Sequence, residues 1–195
     1  MILKLIHTLP FLRRLYVTRL GPKWVDGKIS PFIEFLKSED KILDIGSGGG
    51  LVTKTLRMKG FNTTPLDIAD LSYSDDVKPV VYNGRDMPFE DNQFDLALLL
   101  TILHHTENPE AILKETCRVA KRIVIIEDIY DSSIQKYLTL ATDRFVNWGF
   151  SPCPHTNKND EGWRSLFQKL NLELNSVSYH NVFGLYKQAV YHLVK

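Results

Sequence analysis

Short apolar segments alternate with helical patterns through the middle of the chain. Segments 41–45, 61–66, 80–82, 94–100 and 122–127 read as strands because they are short and mostly apolar. Helical patterns lie between them at 51–59, which Gly60 follows, and at 109–120, which Asn108 and Pro109 open. Strands that alternate with helices predict a parallel sheet inside a three-layer α/β domain.

The end of the chain departs from this alternation. A helix is predicted at 160–170, and two segments that alternate polar and apolar residues follow at 172–179 and 188–194. Two such strands joined by a short connection form an antiparallel hairpin. We therefore predict a doubly wound sheet that is mostly parallel and ends in a C-terminal antiparallel hairpin.

The first twenty residues combine an apolar stripe with basic residues. The spacing of the apolar positions is that of one helix face, and Pro10 marks a break. One interpretation is a basic amphipathic helix that makes weak contact with an anionic membrane surface, or with a lipid-like substrate, through residues 1–23, which include no acid. We favour the other, a helix packed on the domain, because apolar helix faces usually find the core. The stripe is Ile2, Leu5, Ile6, Leu9, Leu12, Tyr16 and Leu20.

Composition narrows the class of protein. The chain has 195 residues, of which 44% are hydrophobic and 24% charged, and its net charge is +1. These values are typical of one globular domain and disfavour a nucleic-acid partner, which usually selects a basic excess. No apolar run is long enough to span a membrane and no signal peptide is recognisable, so we predict a cytoplasmic protein with Cys117 and Cys153 as free thiols.

A glycine-rich turn, Asp44–Gly50, links the first strand to the next helix. Its glycines permit a tight turn and let a ligand approach the backbone, and the helix end adds partial positive charge. The third glycine of the dinucleotide fingerprint would fall at Leu51, which counts against a nicotinamide-dependent enzyme. Asp67, which follows the second strand, is suited to accept hydrogen bonds from ribose hydroxyls.

Together with the segments that follow, these residues resemble the class I S-adenosylmethionine-dependent methyltransferases, particularly their type 11 small-molecule branch. The resemblance implies the methyltransferase form of the Rossmann-like fold, with S-adenosylmethionine as cofactor and S-adenosylhomocysteine as product. It also implies direct displacement of the methyl group by a small-molecule or lipid-like acceptor. The matching segments are Lys41–Gly50, Pro65–Ile68, Tyr82–Leu96, Leu100–His105 and Asn108–Val119.

The resemblance also implies a set of cofactor-binding residues. Asp67 would hold the ribose hydroxyls, Ile68 would pack on the adenine, and Asp44 would lie near the methionine ammonium. Asn83 stands where the family usually has an aspartate, and its amide oxygen would accept from the adenine amine. The full set is Asp44, Gly46, Ser47, Gly48, Gly50, Asp67, Ile68, Asn83, Gly84, Leu100 and Thr101.

Three side chains near the carboxyl ends of the fourth and fifth strands are catalytic candidates. His104 and His105 follow the fourth strand, and Asp128 follows the fifth. One histidine would serve as general base if the acceptor must lose a proton. The alternative is that one histidine packs against the next helix, the other lies on the surface, and Asp128 is a solvated strand end. No metal site is predicted, because the cysteines and histidines lack the spacing of metal ligands.

Two segments have no role in this cofactor site. Residues 1–38 are predicted to form an N-terminal helical cap on a catalytic domain at 39–195, and residues 128–160 a helical insertion that covers the acceptor. The insertion includes Phe145, Trp148 and Phe150, which suit a lid or a separate hydrophobic cluster. A non-catalytic module that binds S-adenosylmethionine is the main functional alternative, and a nicotinamide-dependent oxidoreductase is the weaker one.

Overall fold

A seven-stranded sheet forms the centre of the computed structural model, which describes residues 5–6, 8–147, 156–182 and 186–195. The strand order is β3-β2-β1-β4-β5-β7-β6, and β7 runs antiparallel to both of its neighbours. This topology confirms the predicted mostly parallel sheet with a terminal hairpin. The strands are β1 (Lys41–Ile45), β2 (Asn62–Asp67), β3 (Val80–Val81), β4 (Phe94–Leu100), β5 (Ala120–Ile129), β6 (Glu173–Val182) and β7 (Tyr186–Val194).

Helices cover both faces of the sheet, and their ends follow the local sequence. Asn108 caps the fourth helix by accepting a hydrogen bond from the backbone of Ala111 at 3.0 Å, and Gly60 follows the third in a left-handed conformation. The helices are α1 (Pro10–Leu15), α2 (Gly21–Ile29), α3 (Leu51–Met58), α4 (Pro109–Val119), α5 (Ser133–Asn147) and α6 (Asp160–Lys169). A π-helical turn, Tyr16–Leu20, joins α1 to α2.

Neighbouring residues of the central strands pack on opposite faces of the sheet. Leu43 and Ala97 lie in one core with residues of α4 and α6, whereas Ile42 and Leu96 lie in another with residues of α2 and α3. A strand that is buried on both faces must be apolar at nearly every position. This explains why β1 and β4 could be located from the sequence to the residue.

The sequence predicted strand ends less well where backbone pairing with a neighbouring strand continues past the apolar residues. Strand β5 covers Ala120–Ile129 instead of 122–127, and β6 reaches Val182 instead of 179. Pairing with β7 carries β5 on to Ile129 and β6 on to Val182, and pairing with β4 starts β5 at Ala120. Backbone hydrogen bonds to a neighbouring strand, rather than hydrophobicity, fix these ends.

The amino-terminal segment differs most from the prediction. Leu5, Leu9 and Leu20 are 44%, 46% and 58% exposed, so the favoured interpretation of a stripe packed in the core was wrong for these residues. Helix α1 contains no buried residue. Helix α2, which lies after the stripe, instead contributes Val25 and Ile29 to the same core as β1 and β4.

Some predictions concern residues that the structure does not describe: Ile2, Trp148, Phe150 and Cys153 lie outside the described ranges. Cys117 lies within them and is a half-buried free thiol. Among the helices in the described part of the chain, none has the length and hydrophobicity needed to cross a membrane.

Candidate cofactor and acceptor site

The turn after β1 depends on glycines with left-handed backbone angles. Gly46, Gly48 and Gly50 have φ values of +72°, +52° and +78°. A Cβ atom on Gly46 would lie 2.7 Å from Cγ2 of Ile102, and one on Gly50 would lie 2.5 Å from Cγ2 of Val77. Both sites therefore exclude a side chain for two reasons, backbone strain and lack of space.

Asp67, at the end of β2, holds this turn in place. Its Oδ2 accepts a hydrogen bond from the backbone nitrogen of Gly48 at 2.7 Å, and its Oδ1 accepts from that of Ile68 at 2.7 Å. The carboxylate thus lies at the glycine turn, as a ribose-binding residue would. In the same turn the Ser47 hydroxyl is buried without a hydrogen-bond partner among the described residues, which leaves it available to a ligand.

Asp44 is a buried acid beneath the turn. It is only 2% exposed and accepts a hydrogen bond from the Thr53 hydroxyl at 2.6 Å. Burial raises the pKa of Asp44 to about 6, against the opposing effects of Thr53 and of the positive charge on Lys28. Asp44 is therefore mostly ionised at neutral pH, and its charge is suited to a cationic ligand group.

Where adenine is predicted to bind, Ile68 exposes an apolar surface, but the amide oxygen of Asn83 already accepts hydrogen bonds from the backbone. Ile68 is 60% exposed, and its Cγ2 lies 3.3 Å from where a Cβ on Gly84 would stand. The Asn83 amide oxygen accepts hydrogen bonds from the backbone nitrogens of Arg85 and Asp86, each at 2.8 Å. These bonds use both lone pairs of the oxygen, so the predicted contact with adenine requires this turn to rearrange.

Lys28 is a site residue that the sequence analysis missed. Its ammonium group donates to the Thr101 hydroxyl at 2.8 Å and to the Leu100 carbonyl at 3.1 Å. Burial lowers the pKa of Lys28 to about 8, although the nearby charges of Asp128 and Asp44 raise it. The lysine lies 72 and 73 residues from its partners, and no local pattern in the sequence marks such a pair.

Thr101 ends β4 in a conformation that is unusual for its residue type. Its φ is +61°, a region that β-branched residues rarely adopt. The backbone nitrogen of Thr101 donates to the Ile126 carbonyl at 2.7 Å, and its hydroxyl donates to the Leu100 carbonyl at 2.6 Å. Strain of this kind persists where surrounding contacts enforce it, and it concentrates at functional sites.

The two histidines after β4 occupy different environments. His104 is 2% exposed, and its Nδ1 lies 2.5 Å from Oε2 of the fully buried Glu127. The other oxygen of Glu127 accepts from the backbone nitrogen of Leu103 at 2.8 Å. His105 is half-buried, and its ring centroid lies 4.2 Å from that of His104. His104 therefore suits a positioning role, and His105 is the histidine of the pair that solvent reaches.

Asp128 and the predicted insertion also reach this edge of the sheet. Asp128 is half-buried, accepts a hydrogen bond from the Gln188 amide at 2.8 Å, and has a pKa raised by burial. The Thr156 hydroxyl lies 3.2 and 3.1 Å from the carbonyl oxygens of Leu103 and Thr106. Hydrogen bonding by Thr156 thus holds the far end of the insertion against the loop that carries the histidines.

Metal ligands do not gather at this edge within the described ranges. No group of three or more histidine, cysteine, aspartate or glutamate residues there could hold a metal ion. Cys153 and His155, which the sequence analysis considered as ligands, lie outside those ranges.

The arrangement fits an adenosine bearing an amino-acid group. The turn offers backbone and an unpaired hydroxyl, Asp67 adds a carboxylate beside it, and Ile68 exposes an apolar surface. Asp44 and Lys28 supply one negative and one positive charge, as the two ends of a zwitterion require.

Comparison with known proteins agrees with this arrangement. Residues 43–125 match the family model described as a methyltransferase domain. An uncharacterized protein of Methanocaldococcus jannaschii is 34% identical over 80 residues, which are 41% of this chain and 39% of that protein. The ubiquinone biosynthesis O-methyltransferase of Rickettsia bellii is 26% identical over 123 residues, covering 57% of this chain and 51% of the relative. The chain thus spans about half of these relatives or less.

A solved structure shows the same fold. The S-adenosylmethionine-dependent methyltransferase of Aquifex aeolicus superposes with a TM-score of 0.62 at 18% identity, covering 85% of this chain and 88% of that one. The family match and the shared fold both agree with the predicted family, whose cofactor is S-adenosylmethionine. Residues 43–125 therefore match a methyltransferase domain, and the fold around them is that of a solved S-adenosylmethionine-dependent methyltransferase.

Proposed function

We propose that the chain transfers a methyl group from S-adenosylmethionine to a small-molecule acceptor. The observation that carries the proposal is the group of polar residues at the carboxyl ends of β1, β2 and β4. There the glycine turn and Asp67 adjoin two groups of opposite charge, the buried Asp44 and the half-buried Lys28. A Rossmann-like sheet binds its ligands at this edge.

The residues divide the work of holding the cofactor. When bound, S-adenosylmethionine supplies a methyl group that is already activated on a sulfonium. Asp67 would accept from the ribose hydroxyls, and Ile68 and Gly84 would offer apolar surface to the adenine. Asp44 would balance the ammonium of the methionine end. Lys28 would pair with the carboxylate, because it is the cation that the fold brings to Asp44 and Thr101.

Methyl displacement asks the protein mainly for alignment and for exclusion of water. A base is needed only when the acceptor must lose a proton. We propose His105 for this role, with His104 and Glu127 holding its neighbourhood, and Asp128 as the second candidate. The mutual contact of the two histidine rings supports the proposal, since it fixes His105 beside an anchored partner.

A small hydroxylated molecule is the first acceptor class to test. Two observations support it: the relatives named ubiquinone biosynthesis O-methyltransferase, and a net charge of +1 that does not favour a nucleic-acid acceptor. A cytoplasmic location stays a prediction.

We propose residues 1–38 and 128–160 as the cover of the acceptor. Lys28 reaches Leu100 from the first segment, and Thr156 reaches Leu103 from the second, so both segments contact the end of β4 or the loop after it. Helix α5 also exposes an apolar stripe, with Ile134 76% and Tyr137 70% exposed, which suits an apolar acceptor.

The test is transfer of a labelled methyl group from S-adenosylmethionine to a panel of phenols, amines and thiols. We expect product with at least one phenol, and far less product with the Asp67→Ala variant when the cofactor is limiting. Binding of the cofactor with no transfer to any acceptor would favour the non-catalytic module. Binding of a nicotinamide dinucleotide in place of S-adenosylmethionine would overturn the proposal altogether.

A further inference from the structure

We propose that the exposed side of residues 9–24, here called the amino-terminal surface, docks the protein on an anionic lipid bilayer. This surface includes α1, the π-helical turn and the first residues of α2. The residues that it uses lie within the segment 1–38 proposed to cover the acceptor, but none of them belongs to the proposed cofactor site, so cofactor binding tests the two proposals separately.

Large apolar side chains on this surface face outward. Phe11 is 76% exposed, Leu20 58%, Trp24 50% and Leu9 46%. Isolated apolar residues are common on protein surfaces, but a group of aromatic and leucine side chains on one short helical segment is typical of an interaction site. Tryptophan and phenylalanine favour the boundary between lipid headgroups and acyl chains.

The charges on the same surface have one sign. Arg14, Arg19 and Lys23 are exposed, and none of them forms an ion pair with any residue in the part of the chain that the structure describes. The first 23 residues contain no acid. The nearest acid along the chain, Asp26, is paired with Lys59 at 3.4 Å. The complementary surface must therefore be negative.

The segment is held on the domain by its opposite side. Val25 and Ile29 are buried in the core, and an Arg13 guanidinium nitrogen donates to the Tyr73 carbonyl at 2.5 Å. The Tyr16 and Tyr73 rings meet edge to face, with centroids 5.8 Å apart. Docking thus needs no release of the segment from the domain.

The exposed side presents cations beside apolar residues. Leu20 and Trp24 are four residues apart, about one helical turn, and so are Arg19 and Lys23, which precede them directly. A bilayer with anionic headgroups satisfies both kinds of residue at once, because the apolar side chains enter the interface while the cations meet the headgroups. An acidic protein partner or a second copy of the chain is the competing occupant.

The experiment is co-sedimentation with lipid vesicles. We expect the full chain to bind vesicles that contain about 30% phosphatidylglycerol in phosphatidylcholine, to bind pure phosphatidylcholine far more weakly, and to be released by salt. The double variant Arg19→Glu/Lys23→Glu should lower partitioning by about tenfold or more. Leu20→Ser should lower it by about threefold.

Matched variants control for total charge and for exposed apolar area. Lys114→Glu/Lys121→Glu makes the same change in net charge on exposed lysines elsewhere, and Met58→Ser removes an apolar residue that is 81% exposed. Both should bind vesicles as the unmodified chain does. Equal loss in the control variants, or no binding to anionic vesicles, would overturn the proposal. So would a dimer in solution that Leu20→Ser dissociates. Cofactor affinity, measured in parallel, should be the same in all variants.

Discussion

The glycine turn and the amino-terminal segment differ in how far apart along the chain their contacts lie. Asp67 bonds to Gly48 over 19 residues, and Asp44 bonds to Thr53 over nine. Lys28 reaches its partners over 72 and 73 residues. The first kind of contact lies within one continuous β-α-β unit, β1–α3–β2. The second depends on where a helix docks on the finished sheet, which no short motif specifies.

The largest effect on cofactor affinity should come from the local contacts of the glycine turn. Asp67→Ala removes two charge-assisted hydrogen bonds to the ribose, each worth about 1.5–3 kcal/mol, so cofactor affinity should fall at least about a hundredfold. Titration calorimetry with S-adenosylhomocysteine measures this change. Asp70→Ala is the matched control, because Asp70 is exposed and its carboxylate bonds only to Ser72 among the contacts described.

The Asp67 variant must be shown to fold, since the carboxylate also holds the backbone of Gly48 and Ile68. Circular dichroism on the same sample provides that check. If the folded variant bound the cofactor with unchanged affinity, Asp67 would not bind the ribose hydroxyls, and the main argument that the glycine turn binds the cofactor would be lost.

Lys28 tests the contacts that join residues far apart along the chain. Lys28→Met keeps the unbranched apolar stem of the side chain and removes its charged end, and the Leu100 carbonyl still accepts from the Thr101 hydroxyl at 2.6 Å. Loss of one charge-assisted pair predicts a decrease in cofactor affinity of about 10- to 100-fold. Lys23→Met, an exposed lysine on the same helix, should bind the cofactor normally. Equal affinity in both variants would show that Lys28 serves only packing.

The same contrast explains what the sequence analysis could provide. Apolar runs and the glycine turn predicted the sheet, its order of elements and the place of Asp67, because each signal lies within a few adjacent residues. The pairs Lys28–Thr101 and His104–Glu127 were missed, since each joins separate elements. Helical spacing predicted a helix from the apolar stripe at residues 2–20, but it could not decide which side the fold would bury.

A smaller effect should appear when cofactor affinity is measured against pH. The pKa of Asp44 is raised to about 6, and the ionised form is the one that suits a bound ammonium. Ionisation of Asp44 should therefore change the cofactor affinity very little above pH 7. As the pH drops through 6 the affinity should fall, by about tenfold at pH 5. Asp44→Asn should bind more weakly at pH 7 and lose this dependence. If the cofactor affinity of Asp44→Asn still falls as the pH drops through 6, then a group other than Asp44 causes the pH dependence.

The smallest effect concerns the stability of the amino-terminal segment, where two glycines of α2 form a matched pair. A Cβ on Gly27 would meet nothing within 4 Å, so Gly27→Ala should raise the free energy of unfolding by about 0.5–1 kcal/mol through helix propensity alone. A Cβ on Gly21 would lie 2.8 Å from the Tyr16 carbonyl oxygen and 2.7 Å from Cδ1 of Leu51, so Gly21→Ala should lower it by about 1–3 kcal/mol. Chemical denaturation measures both. Opposite signs require that α2 unfolds together with the sheet, as the burial of Val25 and Ile29 in the shared core implies. If neither substitution changes the main transition, α2 melts separately, and the helix that positions Lys28 is not part of the cooperative domain.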